Sequence, residues 1–251
     1  MATTLQSLRF PFHPSITPPN SHTYPSSTVH YTPKSNTFNS SFIATRNKRL
    51  LSSRALNSEY SPTVAENLGD VSIFTAAGES VLFKDLWDQE QGIAVVALLR
   101  HFGCPCCWEL ASTLKESKSR FDAAGVKLIA VGVGAPNKAR ILAERLPFPM
   151  DCLYADPDRK AYNFFDLYYG FGRTFFNPAS ASVLSRFDAL QKAVKNYTIE
   201  ATPDDRSGVL QQGGMFVFRG KELLYARKDE GTGDHAPLDD VFDVCCKVPV
   251  T

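Results

Sequence analysis

The stretch "GIAVVALLRHFGCPCCWEL" (residues 92–110) holds an unbroken apolar run, a break at Gly103, and three thiols within four positions. The run from Ile93 to Leu99 is of strand length and rich in Val and Leu, without polar alternation, which suits a strand covered on both faces. Pro105 fits the first position of a helix, where its missing N–H costs nothing, so Cys104 becomes the residue at the helix mouth. Unpaired amides and the positive end of the helix macrodipole stabilise an anion there, which biases the Cys104 thiol toward the thiolate that attacks disulfides and peroxides. With each helical residue advancing about 100°, Cys107 lies about 300° from Cys104 and shares its side, whereas Cys106 lies about 200° away. Cys104 is therefore expected as nucleophile and Cys107 as its resolving partner within disulfide reach, with Cys106 a small apolar filler turned into packing.

Working outward, "VKLIAVGVGA" (126–135) reads as a second buried strand, so that strand, helix and strand form one βαβ unit. Upstream, "VSIFTAAGESVLFKDL" (71–86) reads as two short strands around Ala77-Gly78-Glu79 followed by the start of a helix. Downstream, a helix is expected from Pro136 to Leu146 and a short strand in "CLYAD" (152–156). "RKAYNFFDLY" (159–168) and "SASVLSRFDALQKAVKNY" (180–197) look helical, with the aromatic segment "YYGFGRTFFNP" (168–178) between them. "GGMFVFRGKELLYARKD" (213–229) is a strand pair around Arg219-Gly220, and "PLDDVFDVCCKV" (237–248) is a closing amphipathic helix with acidic residues in its first turn. The fold class that follows is α/β: a three-layer sandwich with a mixed central sheet and helices on both faces.

Composition sets the outer limits. From Met1 to Ser58 there is no acidic residue, while Arg9, Lys34, Arg46, Lys48, Arg49 and Arg54 stand among abundant Ser, Thr and Pro. Such a basic, hydroxyl-rich leader without a continuous apolar core is expected to be a disordered organelle transit peptide, with cleavage falling between Arg54 and Glu66. Its Met-Ala-Thr-Thr start and modest Arg content favour the chloroplast, and hence the stroma, with the mitochondrion as alternative. Residues 59–251 are then one domain. The chain carries 27 basic and 26 acidic residues; without the six basic residues of the leader the balance is 21 against 26, a formal −5. A mildly acidic domain is a poor partner for nucleic acid, and no apolar run approaches the roughly 20 residues that span a bilayer.

The segments around the thiols also carry a resemblance. The Cys104-Pro105-Cys106-Cys107 run after a buried strand resembles the C-x-x-C of thioredoxins, and "GDVSIFTAAGESVLFKDL" (69–86) resembles the N-terminal β-hairpin of AhpC/TSA-type peroxiredoxins. With "QQGGMFVFRGKELLYARKDEGTGDH" (211–235), the chain is similar over residues 64–248 to chloroplast-targeted, peroxiredoxin-like proteins with an AhpC/TSA antioxidant domain on a thioredoxin-like fold. The resemblance implies a thiol oxidoreductase acting on a peroxide or a disulfide, with an external thiol reductant such as thioredoxin or glutathione and no organic cofactor. Two departures bear on this. Peroxiredoxins carry P-x-x-x-T-x-x-C, and here Ala97 and His101 stand at the Pro and Thr positions. Thioredoxins place a cis-proline opposite the C-x-x-C pair, and here Gly213 and Gly214 occupy that place. A non-enzymatic module that senses redox state or binds a partner is the second reading.

Several further residues carry candidate roles. Arg100 and His101 sit at the carboxyl end of the first long strand, where open α/β sheets place ligands, so either could lower the thiol pKa or hand on a proton. Arg173 is a candidate for a cation beside the cysteine, with an ordinary surface arginine as the plainer reading. A metal would want His101 with all three thiols, and Cys106 is not expected to reach the same point, so no metal is predicted. His235 reads as a lone loop histidine and Cys152 as core. The pair Cys245-Cys246 reads as one buried and one surface thiol, not bridged. The aromatics Phe164, Phe165, Tyr168, Tyr169, Phe171, Phe175 and Phe176 read as core, with a hydrophobic groove as alternative. "GVGAP" (132–136) lacks the G-x-G-x-x-G spacing, which argues against a dinucleotide.

Overall fold

The computed structural model describes residues 68–246. The leader expected at 1–58 lies outside the described residues, as do both ends of the domain expected at 59–251. Seven strands form one mixed sheet: β1 (Ser72–Thr75), β2 (Ser80–Leu82), β3 (Ile93–His101), β4 (Val126–Val133), β5 (Leu153–Ala155), β6 (Gly214–Arg219) and β7 (Glu222–Lys228). Their spatial order is β2-β1-β5-β4-β3-β6-β7, with β3, β4 and β5 parallel and the remaining pairs antiparallel. Helices α1 (Pro105–Ala123), α2 (Pro136–Arg145), α3 (Lys160–Phe164), α4 (Phe171–Phe175), α5 (Phe187–Ala193) and α6 (Leu238–Cys245) complete the chain with several short 3₁₀ turns. This is the thioredoxin-like sandwich with an N-terminal hairpin that the strand order predicts.

The alternation of side chains along β3 builds both cores. Ile93, Val95, Ala97 and Leu99 join Trp108, Ala111, Leu114 and Phe121 of α1 and residues of α2 and α6 on one face. Ala94, Val96 and Leu98 join Phe83, Trp87, Tyr162 and Phe165 on the other. With every residue of β3 buried, the absence of polar alternation in its sequence has its explanation: neither face meets water. Ring stacking marks each layer, Phe121 on Phe242 at 4.6 Å and Phe165 on Phe216 at 4.2 Å.

Two regions differ from the sequence expectation. The helices expected over 159–168 and 180–197 are broken into α3, a 3₁₀ segment Pro178–Arg186, α5 and a 3₁₀ turn Val194–Asn196. Neither stretch contains proline or glycine, but segments this short are marginal helices by themselves, and packing decides where each continues or breaks. The aromatic cluster also divides. Phe165 is fully buried, but Tyr169, Phe171, Phe175 and Phe176 are exposed, Phe176 by 74%. They lie on or beside the five-residue α4, entered through Gly170 at φ +129°, where the rings pack on one another, Phe171 4.7 Å from Phe175, and not on the sheet.

One polar contact ties the carboxyl ends of the central strands together. The Tyr162 hydroxyl, fully buried beneath the sheet, faces the backbone oxygens of Leu99 in β3 and Val131 in β4, the latter at 3.0 Å. The Leu99 carbonyl sits just before the segment that carries the thiols. Tyr162→Phe removes the donor and leaves buried acceptors short of a partner, so it should lower unfolding free energy by about 1–2 kcal/mol in a urea titration, with the slope unchanged.

Candidate functional site

The site begins where β3 ends. A register shift between Leu98 and His101 bends the end of the strand against β4, and the chain turns through Phe102 and Gly103 into α1. Two side chains fasten that turn: the Trp108 indole donates to the Phe102 carbonyl, and the Tyr197 hydroxyl donates to the Gly103 carbonyl at 2.8 Å. Cys104 is the N-cap of α1 with extended dihedrals, φ −93° and ψ 119°, and Pro105 opens the helix as expected. Its amide donates to His101 O at 3.1 Å, and its own carbonyl accepts from the amides of Cys107 and Trp108 at 2.9 and 3.2 Å.

Cys104 is only 2% exposed, so its sulfur is not the solvated group that a helix mouth suggests. Its surroundings are nonetheless polar. Arg100, itself buried, aims its guanidinium at the sulfur, with Nη1 donating to Sγ at 3.4 Å. The other arms are fixed by backbone, Nε to Gln211 O at 3.0 Å and Nη2 to Val209 O at 2.7 Å. Among the described residues no carboxylate pairs with Arg100. A buried cation without an anion is costly, and the group placed to supply the charge is the Cys104 thiolate.

The neighbouring thiols act in the same sense. Hydrogen bonding from Cys106, then from Cys107, and the charge of Arg100 outweigh burial and hold the Cys104 thiol well below its ordinary pKa. Cys106 is pushed up, first by its bond to Cys104 and then by burial. Cys107 is pushed up by burial first and Cys104 second. These directions single out Cys104 as the most readily ionised of the three thiols. Cys106 lies in the core cluster, its sulfur 3.3 Å from where a Cβ on Gly233 would fall. All three remain free thiols in the structure.

Of the other candidates, His101 is buried beside the cysteine and lowered to about 4, chiefly by desolvation and further by Arg100, so its imidazole is neutral at pH 7. Arg173 does not reach the thiol: its guanidinium lies 3.8 Å over the Tyr168 ring and bonds Glu230 O at 3.5 Å. It sits on α4, outside the loop that faces Cys104, and the cation at the sulfur is Arg100. Cys152 and Cys245 are buried and Cys246 is exposed, with Sγ of the last two 3.5 Å apart and unbridged. Among the described residues no group of three or more His, Cys, Asp or Glu is arranged to hold a metal ion.

The residue that reading the sequence undervalued is His235. It is buried in the strap "DEGTGDH" (229–235), with Nδ1 3.0 Å from Asp229 Oδ2 and Nε2 3.2 Å from the Cys106 carbonyl. Two glycines let the strap seat. A Cβ on Gly213 would lie 2.3 Å from Leu98 O and 2.9 Å from Asp229 Oδ2. Gly233 has φ +76°, and a Cβ there would fall 2.3 Å from Val183 and 3.3 Å from the Cys106 sulfur. The signal was present in the run of small and acidic residues, which has no periodicity to interpret.

The role of Arg100 can be measured directly. Arg100→Met removes the facing charge, so the pKa of Cys104 should rise by about 1–3 units, the usual size for an opposite charge at this range. The pH profile of alkylation of Cys104 checks it.

With the geometry in place, comparison with known proteins is informative. The AhpC/TSA antioxidant enzyme family matches residues 113–231, a segment that begins beyond Cys104 and Cys107. The thioredoxin-like protein AAED1, chloroplastic, of Arabidopsis thaliana is 32% identical over 185 residues, 72% of this chain and 73% of its own length. A prostamide/prostaglandin F synthase of Sus scrofa is 33% identical over 176 residues, 67% of this chain and 80% of its own. Among solved structures, peroxidoxin BcpB from Mycobacterium tuberculosis aligns over 71% of this chain and 93% of its own at TM-score 0.49 and 13% identity. Identity at this level, sustained over two thirds or more of the curated relatives, together with the family match, decides the matter: the chain belongs to the AhpC/TSA antioxidant enzyme family.

Proposed function

We propose that the chain is a thiol-dependent oxidoreductase in which Cys104 is the nucleophile and Cys107 the resolving thiol. Family membership supports thiol-based redox chemistry in general; the assignment of the pair rests on one observation above others, the buried Arg100 guanidinium aimed at the Cys104 sulfur without a carboxylate partner among the described residues. With a hydroperoxide, the Cys104 thiolate attacks the terminal oxygen: an S–O bond forms, the O–O bond breaks, and the departing alkoxide takes up a proton to leave as alcohol. Cys107 sulfur then attacks the sulfenic acid, an S–S bond forms, and the hydroxyl leaves as water with the Cys107 proton. With a disulfide substrate, the same thiolate displaces one sulfur and Cys107 resolves the mixed disulfide. An external dithiol or glutathione, itself oxidised, returns the Cys104–Cys107 disulfide to two thiols.

The reading extends to location. The basic leader and the chloroplastic relative support a plastid protein, working in the stroma with thioredoxin or glutathione as reductant. No helix among the described residues is long and apolar enough to cross a membrane. One observation favours a second reading, a redox sensor without turnover: a sulfur 2% exposed meets substrate only when its cover moves.

The two readings separate in a reductant-dependent turnover assay across hydrogen peroxide, an alkyl hydroperoxide, a lipid endoperoxide and a protein disulfide. Sustained turnover supports the enzyme; one stoichiometric oxidation that reductant merely reverses supports the sensor. Within the enzyme reading, Cys104→Ser should abolish turnover, while Cys107→Ser should trap mixed disulfides through Cys104. A clean non-reducing gel of Cys107→Ser under oxidising conditions with these substrates would remove Cys107 from the cycle.

A further inference from the structure

The mechanism above leaves a buried ion pair beside the thiols unused. His235 stands between the Asp229 carboxylate and the first turn of α1, both partners almost fully enclosed. Nδ1 faces a carboxylate and Nε2 faces a carbonyl, and the imidazolium is the form that donates to both. The carboxylate lies on the far side of the ring, so the pair presents its positive end to the thiols. Burial draws His235 down, but the charge and hydrogen bond of Asp229, aided by Cys104, overcome it, and the net direction is upward; burial also pushes Asp229 up. Besides Asp229 and Cys104, Arg186 faces the ring, its Nη2 bonded to Gly233 O at 2.6 Å and its Nε to Glu109 at 2.7 Å. Around Asp229 stand Asp234 and Arg227, bonded to each other at 2.7 Å. The strap is packed onto the cluster as well, since Gly233 has no room for a Cβ beside the Cys106 sulfur.

We propose that Asp229 and His235 form a positioning pair for the nucleophile: the carboxylate orients an imidazolium against the Cys106 carbonyl, where its charge adds to that of Arg100 in keeping Cys104 ionised. The proposal rests on the reading of Cys104 as nucleophile and adds to it. Asp229 also packs against Gly213, where a Cβ would meet the Leu98 carbonyl at 2.3 Å and the Asp229 carboxylate at 2.9 Å. The pair touches neither the reacting sulfur nor substrate; it acts through α1 and through charge.

The test uses the full chain and the pH profile of Cys104 alkylation. His235→Gln keeps a donor for the Cys106 carbonyl but carries no charge, and Asp229→Asn leaves the imidazole to burial, which favours its neutral form. Each should raise the apparent pKa of Cys104 by about one unit, a loss of about tenfold in alkylation rate at pH values below it. Linkage demands the reciprocal effect: in Cys104→Ser the pKa of His235, followed by nitrogen NMR of labelled histidine, should fall by the same amount. A folded His235→Gln protein with the wild-type profile overturns the proposal. If neither variant folds, the NMR titration decides: a neutral His235 ring in the wild-type protein at pH 7, or a His235 pKa unmoved in Cys104→Ser, overturns it equally. A wild-type Cys104 with the ordinary thiol value of about 8.5 would overturn the redox reading together with this one.

Discussion

A guanidinium enclosed by protein needs a counter-charge, and in this chain the need falls on a sulfur. Arg100 spends two of its arms on the backbone of residues 209–211, which fixes its direction, and leaves the third against Cys104. Neither of those carbonyls can neutralise it. The thiolate can, and the N-terminal end of α1 favours the same state of the sulfur, held well below its ordinary pKa. β3 delivers Arg100, the turn after it delivers Cys104 as the N-cap of α1, and β6 begins at Gly214, just after the loop that anchors the guanidinium.

The cluster has an order that follows from the cause of each shift. Cys107 is held protonated by its enclosure, which persists whatever happens at Cys104, whereas Cys106 is held so first by the charge it donates to. The three sulfurs are therefore not equivalent, although their spacing alone ranks them only by angle. Beside them lies the 229–235 strap, in contact with the Cys106 carbonyl through His235 and tied to α4 through Thr232 and Thr174 and to the segment before α5 through Arg186.

Much of this was legible in the chain and some was not, for identifiable reasons. The apolar run 93–99, Pro105 after Cys104, and the turn residues at 77–79 and 219–220 specify strand, helix start and hairpins by local chemistry, and the sheet followed from them. Cys104 at the helix mouth was legible for the same reason. Its degree of enclosure was not, because the covering groups, Val209 to Gln211 and the strap, are distant in sequence and carry no periodic pattern. His235 and the exposed rings of Phe171, Phe175 and Phe176 were misjudged because composition says what a residue prefers and not which surface the fold has left for it. The fate of Arg173 belongs with them: a cation was expected beside the thiol, and the strand itself supplied one four residues upstream.

The chain contains two tryptophans, and the fold puts them in opposite layers. Trp87 packs on Phe218 under the face away from the thiols, while Trp108 follows Cys107 directly and rests edge-on against Tyr197 at 5.4 Å. Sulfur that gains or loses charge, or joins another sulfur, quenches a nearby excited indole to different degrees. The molecule thus carries a built-in optical gauge of its own oxidation state, with the second indole as an internal standard.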